Sequence, residues 1–278
     1  VEALELCGIP IEAISIGGIE TCIHLPSFKV AFDIGRCPPE VVRRDTVLLT
    51  HPHIDHMGGI AFHCATRGLR GMRPPTYLVP SGDVEAFERL FDAWRVLDRS
   101  EMAHTTVPVA AGAEYELKNG ILVRPFRSPH SAPCLGYSLW TRKHKLKSRY
   151  RGLSGKEIAR LRTQEGMEVN DTLETPQVAF PGDTLIEVVE QEEVCRKARL
   201  LILETTFIDE RVPVAEARSK GHIHLDEIIA RADLFENESI LMTHFSSRYK
   251  APEILALLDE KLPPRLKERV VPLLGGHR

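Results

Sequence analysis

The segment His51-Pro52-His53-Ile54-Asp55-His56 follows directly on the apolar run Val47-Leu48-Leu49-Thr50. If the chain is extended there, alternating side chains project to one side. His51 and His53 can then grip one metal ion, while the turn that follows swings Asp55 and His56 toward a second. Imidazole with carboxylate suits zinc, with manganese or iron as alternatives. A solvated polar loop has no need of four ligand-type residues packed into six positions behind a strand. Later apolar runs repeat the arrangement: Arg124-Pro125-Phe126 leads to His130, Val178-Ala179-Phe180 to Asp183, Leu201-Ile202-Leu203 to Glu204, and Leu241-Met242-Thr243 to His244. Strand ends lying side by side at one sheet edge would gather these residues from distant parts of the chain. Singly, His130 reads as a turn residue, Asp183 as a turn or helix cap, and His244 as a satisfied core histidine. Their recurrence at strand ends favours a common site.

The elements that must position them alternate along the chain. Ile11–Ile16, Thr21–Leu25 and Lys29–Asp33 read as strands separated by the turn signals Gly17-Gly18 and Pro26-Ser27. Ile60–Thr66 reads as helix and Thr76–Val79 as strand. Val84, Phe87, Phe91 and Trp94 recur at helical spacing along Asp83–Leu97, which predicts a helix with that stripe facing inward. Further strands are expected at Glu114–Leu117, Ile121–Phe126, Gly136–Trp140, Gln177–Phe180, Leu200–Leu203 and Ser239–Thr243. Helices are expected at Lys156–Gln164, Leu225–Ala232 and Pro252–Leu258. No internal repeat or low-complexity tract interrupts this order.

A chain of 278 residues, 43% hydrophobic and without a linker-like stretch, suits one domain spanning 1–278. Its net charge of −3 excludes a polycationic coat, so nucleic-acid contact has to come from a local patch. Arg142-Lys143-His144-Lys145-Leu146-Lys147-Ser148-Arg149-Tyr150-Arg151 is the densest basic run, and its cations with a tyrosine suit a tracked RNA backbone. The cysteines Cys7, Cys22, Cys37, Cys64, Cys134 and Cys195 are scattered, with no CxxC pair, as expected of reduced thiols in a cytoplasmic compartment. No apolar run approaches a membrane span and no targeting segment is visible, although the chain does not begin with Met and a nuclear or organellar destination stays open.

These residues together resemble the metallo-β-lactamase superfamily and, within it, the short form of tRNase Z, through nearly the whole chain. His51 to His56 match HxHxDH, Ser128-Pro129-His130-Ser131 with Gly136-Tyr137 is similar to the third-histidine segment, and Pro181-Gly182-Asp183-Thr184 matches the GDT loop. More specific are Leu203-Glu204-Thr205-Thr206-Phe207, similar to HEATF, Gly221-His222 ahead of a helix, and Thr243-His244-Phe245-Ser246-Ser247-Arg248-Tyr249, close to HxSxRY. The wording around Phe32–Pro38 and Gly221–His224 is most similar to the plant enzymes.

The resemblance implies an αββα four-layer sandwich of α/β class, with metals at one edge. It implies that His51, His53 and His130 hold one ion, that Asp55, His56 and His244 hold the other, and that Asp183 bridges. Two zinc ions, or manganese or iron, would then activate water for attack on a phosphodiester. The implied reaction removes the 3′ trailer from precursor tRNA, leaving a 3′ hydroxyl on the tRNA and a 5′ phosphate on the trailer. Asp55, His222 and Glu204 are the catalytic candidates, with His222 as general acid and Glu204 as its orienting partner. Arg248 is placed to meet a phosphate. Asp33 is expected to accept a hydrogen bond from a ligand, and His224 to lie behind the site or at the surface. His24, His63, His104, His144 and His277 read as structural. A homodimer is also implied. The chain departs from the family where a tRNA-clamping arm, expected at 141–177, lacks the usual Gly/Pro-rich tip. Arg142, Lys143, Lys145, Lys147 and Arg149 would carry RNA contact there. A small-molecule phosphodiesterase and a glyoxalase-type thioester hydrolase of the same fold are the alternatives.

Overall fold

A computed structural model describes residues 1–117 and 120–277. The first sheet takes β1 (Glu2–Leu6), β2 (Ile9–Ile16), β3 (Glu20–Leu25), β4 (Val30–Phe32), β5 (Thr46–Leu48), β6 (Thr76–Pro80) and β7 (Thr105–Val109), in that spatial order. The second takes β8 (Tyr115–Leu117), β9 (Ile121–Ser128), β10 (Cys134–Leu146), β11 (Asn170–Phe180), β12 (Leu200–Glu204), β13 (Ser239–Thr243) and β14 (Val270–Pro272), again neighbours in sequence order. Each sheet starts antiparallel and turns parallel, at β4 in one and at β11 in the other.

Burial on both faces explains why the parallel strands read as continuous apolar runs. Leu200, Ile202 and Leu241 point inward, where they meet Phe32, Leu48 and Leu78 of the facing sheet. Their neighbours Leu201, Leu203 and Met242 point outward beneath the helix Ala251–Lys261 through Ile254 and Leu258. On the other side Val47, Leu49 and Tyr77 lie under α2 (Ile60–Leu69), which follows the short α1 (Ile54–Met57), and under α3 (Val84–Asp98). Helix, sheet, sheet and helix are the four layers expected. Among the described residues, no helix is long and apolar enough to cross a membrane.

Several expectations change. Phe87 and Phe91 of the α3 stripe are buried, but Trp94 is 41% exposed, along with Leu90, Val96 and Leu97, so only the first half of the stripe is covered by the core. β10 and β11 extend well past the expected Trp140 and Gln177 as a two-stranded arm, with Arg142 opposite Glu174 and Lys145 opposite Asp171. The tip carries α4 (Gly155–Thr163), capped by Ser154 and Glu157. The expected helix Leu225–Ala232 ends at Ile229.

Candidate metal centre and active site

Parallel strands present all their C-terminal ends at one edge, and the expected ligands follow those ends. His51 comes after β5, Asp183 after β11 and His244 after β13, while β9, which runs in the same direction as β11, delivers His130. Three groupings of ligand atoms result: His51, His53, His130 and Asp183; Asp55, His56 and His244; and Asp183, His222 and His244.

Cation-sized spacing is clearest in the second grouping. His56 Nε2 lies 3.3 Å from Asp183 Oδ1, 3.7 Å from Asp55 Oδ2 and 3.4 Å from His244 Nε2. His244 Nε2 lies 3.5 Å from both Asp55 Oδ2 and Asp183 Oδ1. Ligand bonds of about 2.0–2.1 Å in a tetrahedron give edges of about 3.3–3.4 Å, so these atoms fit a zinc-sized ion. The other Asp183 oxygen, Oδ2, faces His51 Nε2 at 3.8 Å, as a carboxylate shared between two ions requires. His51 Nε2 is buried without a hydrogen-bond partner, which a metal bond would satisfy.

Each of four histidines is oriented by its Nδ1–H. His51 donates to Thr50 Oγ1, His56 to Asp33 Oδ2, His130 to the Gly221 carbonyl and His244 to Thr206 Oγ1, at 2.8–3.0 Å. The two threonine hydroxyls are free to accept because their own protons go to carboxylates, Thr50 to Asp33 and Thr206 to Glu204. Every one of these rings is thereby fixed with Nε2 turned into the cluster, where it is the lone-pair atom of the neutral ring. Thr50, Thr206 and the Gly221 carbonyl escaped the sequence reading. Their signals are slight: Thr50 precedes His51, Thr206 follows Glu204 by two residues, and Gly221 precedes His222. Asp33 is fully buried with φ of 55° and His244 has φ of 60°, so two of the residues that build the cluster sit in the left-handed region.

The carboxylates set the charge state. Burial resists ionisation of Asp183, yet the surrounding histidines hold its pKa well below the usual range. Burial likewise opposes a charge on His56, but Asp183 and Asp33 raise its pKa well above the ordinary histidine value. Burial and the neighbouring His56 charge push His51 down to about 2.

Beside this cluster, His222 Nδ1 donates to Glu204 Oε1 at 2.9 Å. Glu204 is itself buried and accepts from the Thr184 and Thr206 amides and the Thr206 hydroxyl. Burial disfavours the imidazolium, but Glu204 and then Asp183 lift the His222 pKa to about 9. His222 is near enough to Asp183 and His244 to share an ion with them, but unlike the other rings it faces Asp183 with Nδ1, at 3.9 Å, and that nitrogen is bonded to Glu204. His224 does not lie at the surface. It is buried as the cap of the helix Leu225–Ile229 and accepts from the Asp226 amide. His63 bonds Tyr77 and the Arg44 carbonyl, as a core histidine does.

Arg248 is exposed near the site, bonded to Ser246 Oγ and stacked 5.5 Å from the Phe207 ring centre. On the arm, Lys143, Lys145 and Arg149 are exposed. Arg142 differs: its register partner Glu174 takes its Nε at 2.8 Å and Glu114 takes Nη2 at 3.0 Å, so it braces the arm's base and is not free for RNA. Lys147 faces Glu168 at 3.5 Å.

Known proteins share this framework. The family described as beta-lactamase superfamily domain matches residues 32–245. The tRNase Z named TRZ1 of Arabidopsis thaliana is 44% identical over 277 residues, covering 99% of this chain and 98% of that protein. The chloroplastic tRNase Z named TRZ2 of the same plant is 39% identical over 279 residues, covering 100% and 78%. The crystal structure of the short form of human tRNase Z has the same fold, with a TM-score of 0.60 at 18% identity over 95% of this chain and 96% of that one. The chain belongs to the metallo-β-lactamase superfamily and, within it, to the tRNase Z family.

Proposed function

We propose that this chain is an endoribonuclease that cuts the 3′ trailer from precursor tRNA, leaving a 3′ hydroxyl on the tRNA, with two zinc ions held by His51, His53, Asp55, His56, His130, Asp183 and His244. The convergence of these ligands beside a Glu204-oriented histidine carries the reading. When bound, the cations lower the pKa of water and neutralise phosphodiester oxygens. The protein's own groups do the rest. His222, with Nδ1 fixed on Glu204, presents Nε2 to the departing 5′ oxygen and gives it a proton. Asp55, anchored by the Gly18 amide at 3.0 Å, keeps its carboxylate turned toward His56 and His244. Arg248 meets a flanking phosphate with its planar fork.

In this reading residues 1–278 are one hydrolase domain whose arm, at 141–177, offers Lys143, Lys145 and Arg149 to the tRNA backbone. Two copies form the working unit. The exposed Phe62 and Leu69 of α2 and Leu90, Trp94 and Leu97 of α3 supply the kind of apolar surface that a symmetric dimer buries. A reducing, cytoplasmic setting suits the free thiols, five of them buried.

Purified protein assayed in parallel on trailer-bearing precursor tRNA, a generic phosphodiester and a thioester tests the reading. Cleavage of the precursor at far higher kcat/KM than the other substrates is expected. Preference for the thioester or for the small phosphodiester would replace the tRNA assignment with one of those chemistries.

A further inference from the structure

Opposite the metal edge, where β5 and β6 begin, the two sheets part around a cavity of about 720 Å³. Asp45, Thr46 and Thr76 line it, at the N-terminal ends of strands whose C-terminal ends lead toward the ligands. Five residues of extended chain, from Thr46 to His51, put roughly 16 Å between cavity and metals. The inner wall is apolar: Val30, Leu78, Val107 and Leu117 belong to, or pack against, the core between the sheets.

The mouth is cationic, and most of its charges already have partners. Arg67 is buried and donates to the carbonyls of Val42, Arg44 and Arg73. Arg43 makes two bonds to Glu12, and Arg73 faces Asp45 at 3.4 Å. Arg44 stands apart. Its carbonyl is held by His63 and Arg67, yet among the described residues its guanidinium has no hydrogen bond or ion pair, and its Nε is buried without a partner. Lys29 is exposed at the same mouth, and the acid Glu116 is exposed on β8.

Native interiors are close-packed and their buried donors are paired. Here an open pocket with an apolar inner wall reaches into the core between the sheets, and an arginine nitrogen buried at its mouth has no partner. We propose that this cavity binds a small amphipathic anion, with an apolar tail between the sheets and a carboxylate or phosphate monoester head on Arg44. The volume lies in the range of ordinary ligand pockets, and a planar guanidinium suits either head. Burial and the nearby charge of Arg43 both depress the Arg44 pKa, a strain that an anionic head relieves.

The probes are decanoate, decyl phosphate and decan-1-ol, each below its micelle-forming concentration, added to the isotopically labelled full chain and followed by amide shifts. At least one anion is expected to saturate, at tenfold or more higher affinity than the alcohol, with shifts centred on Val30, Thr46, Leu78 and Val107. The tighter of the two anions identifies the head. Arg44→Met should bring the anions down to the affinity of the alcohol while hydrolysis of an activated aryl phosphodiester at the metal edge stays unchanged. Val107→Trp should abolish binding of all three, and if that variant fails to fold, Arg44→Met decides alone. Equal affinity for all heads, no saturable binding, a preference that survives Arg44→Met, or shifts that spare these residues would each overturn the proposal.

Discussion

Gly221 couples the backbone to the candidate ligand His130, and replacing it separates strain from site geometry. Its φ is +81°, and a Cβ there would lie 2.8 Å from His130 Nδ1 and 2.9 Å from the Ser131 amide nitrogen. Ordinary contact starts near 3.4 Å, so His130 has to retreat by 3.4 − 2.8 = 0.6 Å. That movement breaks the Nδ1–H bond to the Gly221 carbonyl that orients the ring. Gly112 is the control, with φ of +82° and nothing within 4 Å of its Cβ position. Gly112→Ala should cost only the left-handed penalty, about 1–2 kcal/mol. Gly221→Ala adds the lost hydrogen bond, about 0.5–1.5 kcal/mol. It should also weaken metal binding at the His51, His53 and His130 grouping by about 10–100-fold, the usual effect of disturbing a ligand's hydrogen-bond partner. Urea unfolding and metal content after dialysis against a weak chelator read both quantities. The reasoning fails if the two variants lose the same stability and Gly221→Ala keeps its full metal complement.

Three further outcomes are expected. His222→Ala should retain its metals, lose about 10²–10⁴ in rate on an RNA phosphodiester, and lose far less on an activated aryl phosphodiester, whose leaving group needs little protonation; loss of a metal would make His222 a ligand. Neutralising Lys143, Lys145 and Arg149 together should reduce the salt slope of tRNA binding by roughly 2–3 and leave hydrolysis of a small phosphodiester intact, whereas equal loss on both substrates would remove the arm from RNA binding. Burial, reinforced by Arg67, lowers the His63 pKa to about 4. Because the unfolded chain takes up this proton first, the contribution is complete above about pH 6.5 and falls away toward pH 4, by about 3 kcal/mol for the full shift. His63→Gln should flatten that part of the curve of urea stability against pH, and an unchanged curve would exclude His63 as its source.

The candidate ligands are legible because they follow apolar runs, and parallel strands buried on both faces leave such runs in the sequence. His51, Asp183 and His244 could therefore be placed at one edge before any coordinates. The hydroxyls behind them are not, since Thr50 and Thr206 look like any other threonine until their protons are traced to Asp33 and Glu204. β7 was hidden by Pro108, which an edge strand tolerates. The outer halves of β10 and β11 show no apolar alternation, because the arm leaves the core and is held by its ladder and by pairs such as Arg142 with Glu174. Trp94 departs in the opposite direction: helical spacing reports a face, and does not report how far along the helix that face is covered.

Analysis of the product ends from one precursor tRNA tests the central claim most directly. A single cut at the trailer junction, giving a tRNA with a 3′ hydroxyl and an intact trailer with a 5′ phosphate, is the predicted result. It requires an external water as nucleophile and a proton delivered to the 5′ oxygen. A 2′,3′-cyclic phosphate would mean that the RNA's own 2′ hydroxyl attacks, and stepwise shortening from the 3′ end would mean an exonuclease; either would contradict the roles given to the metal ligands and to His222.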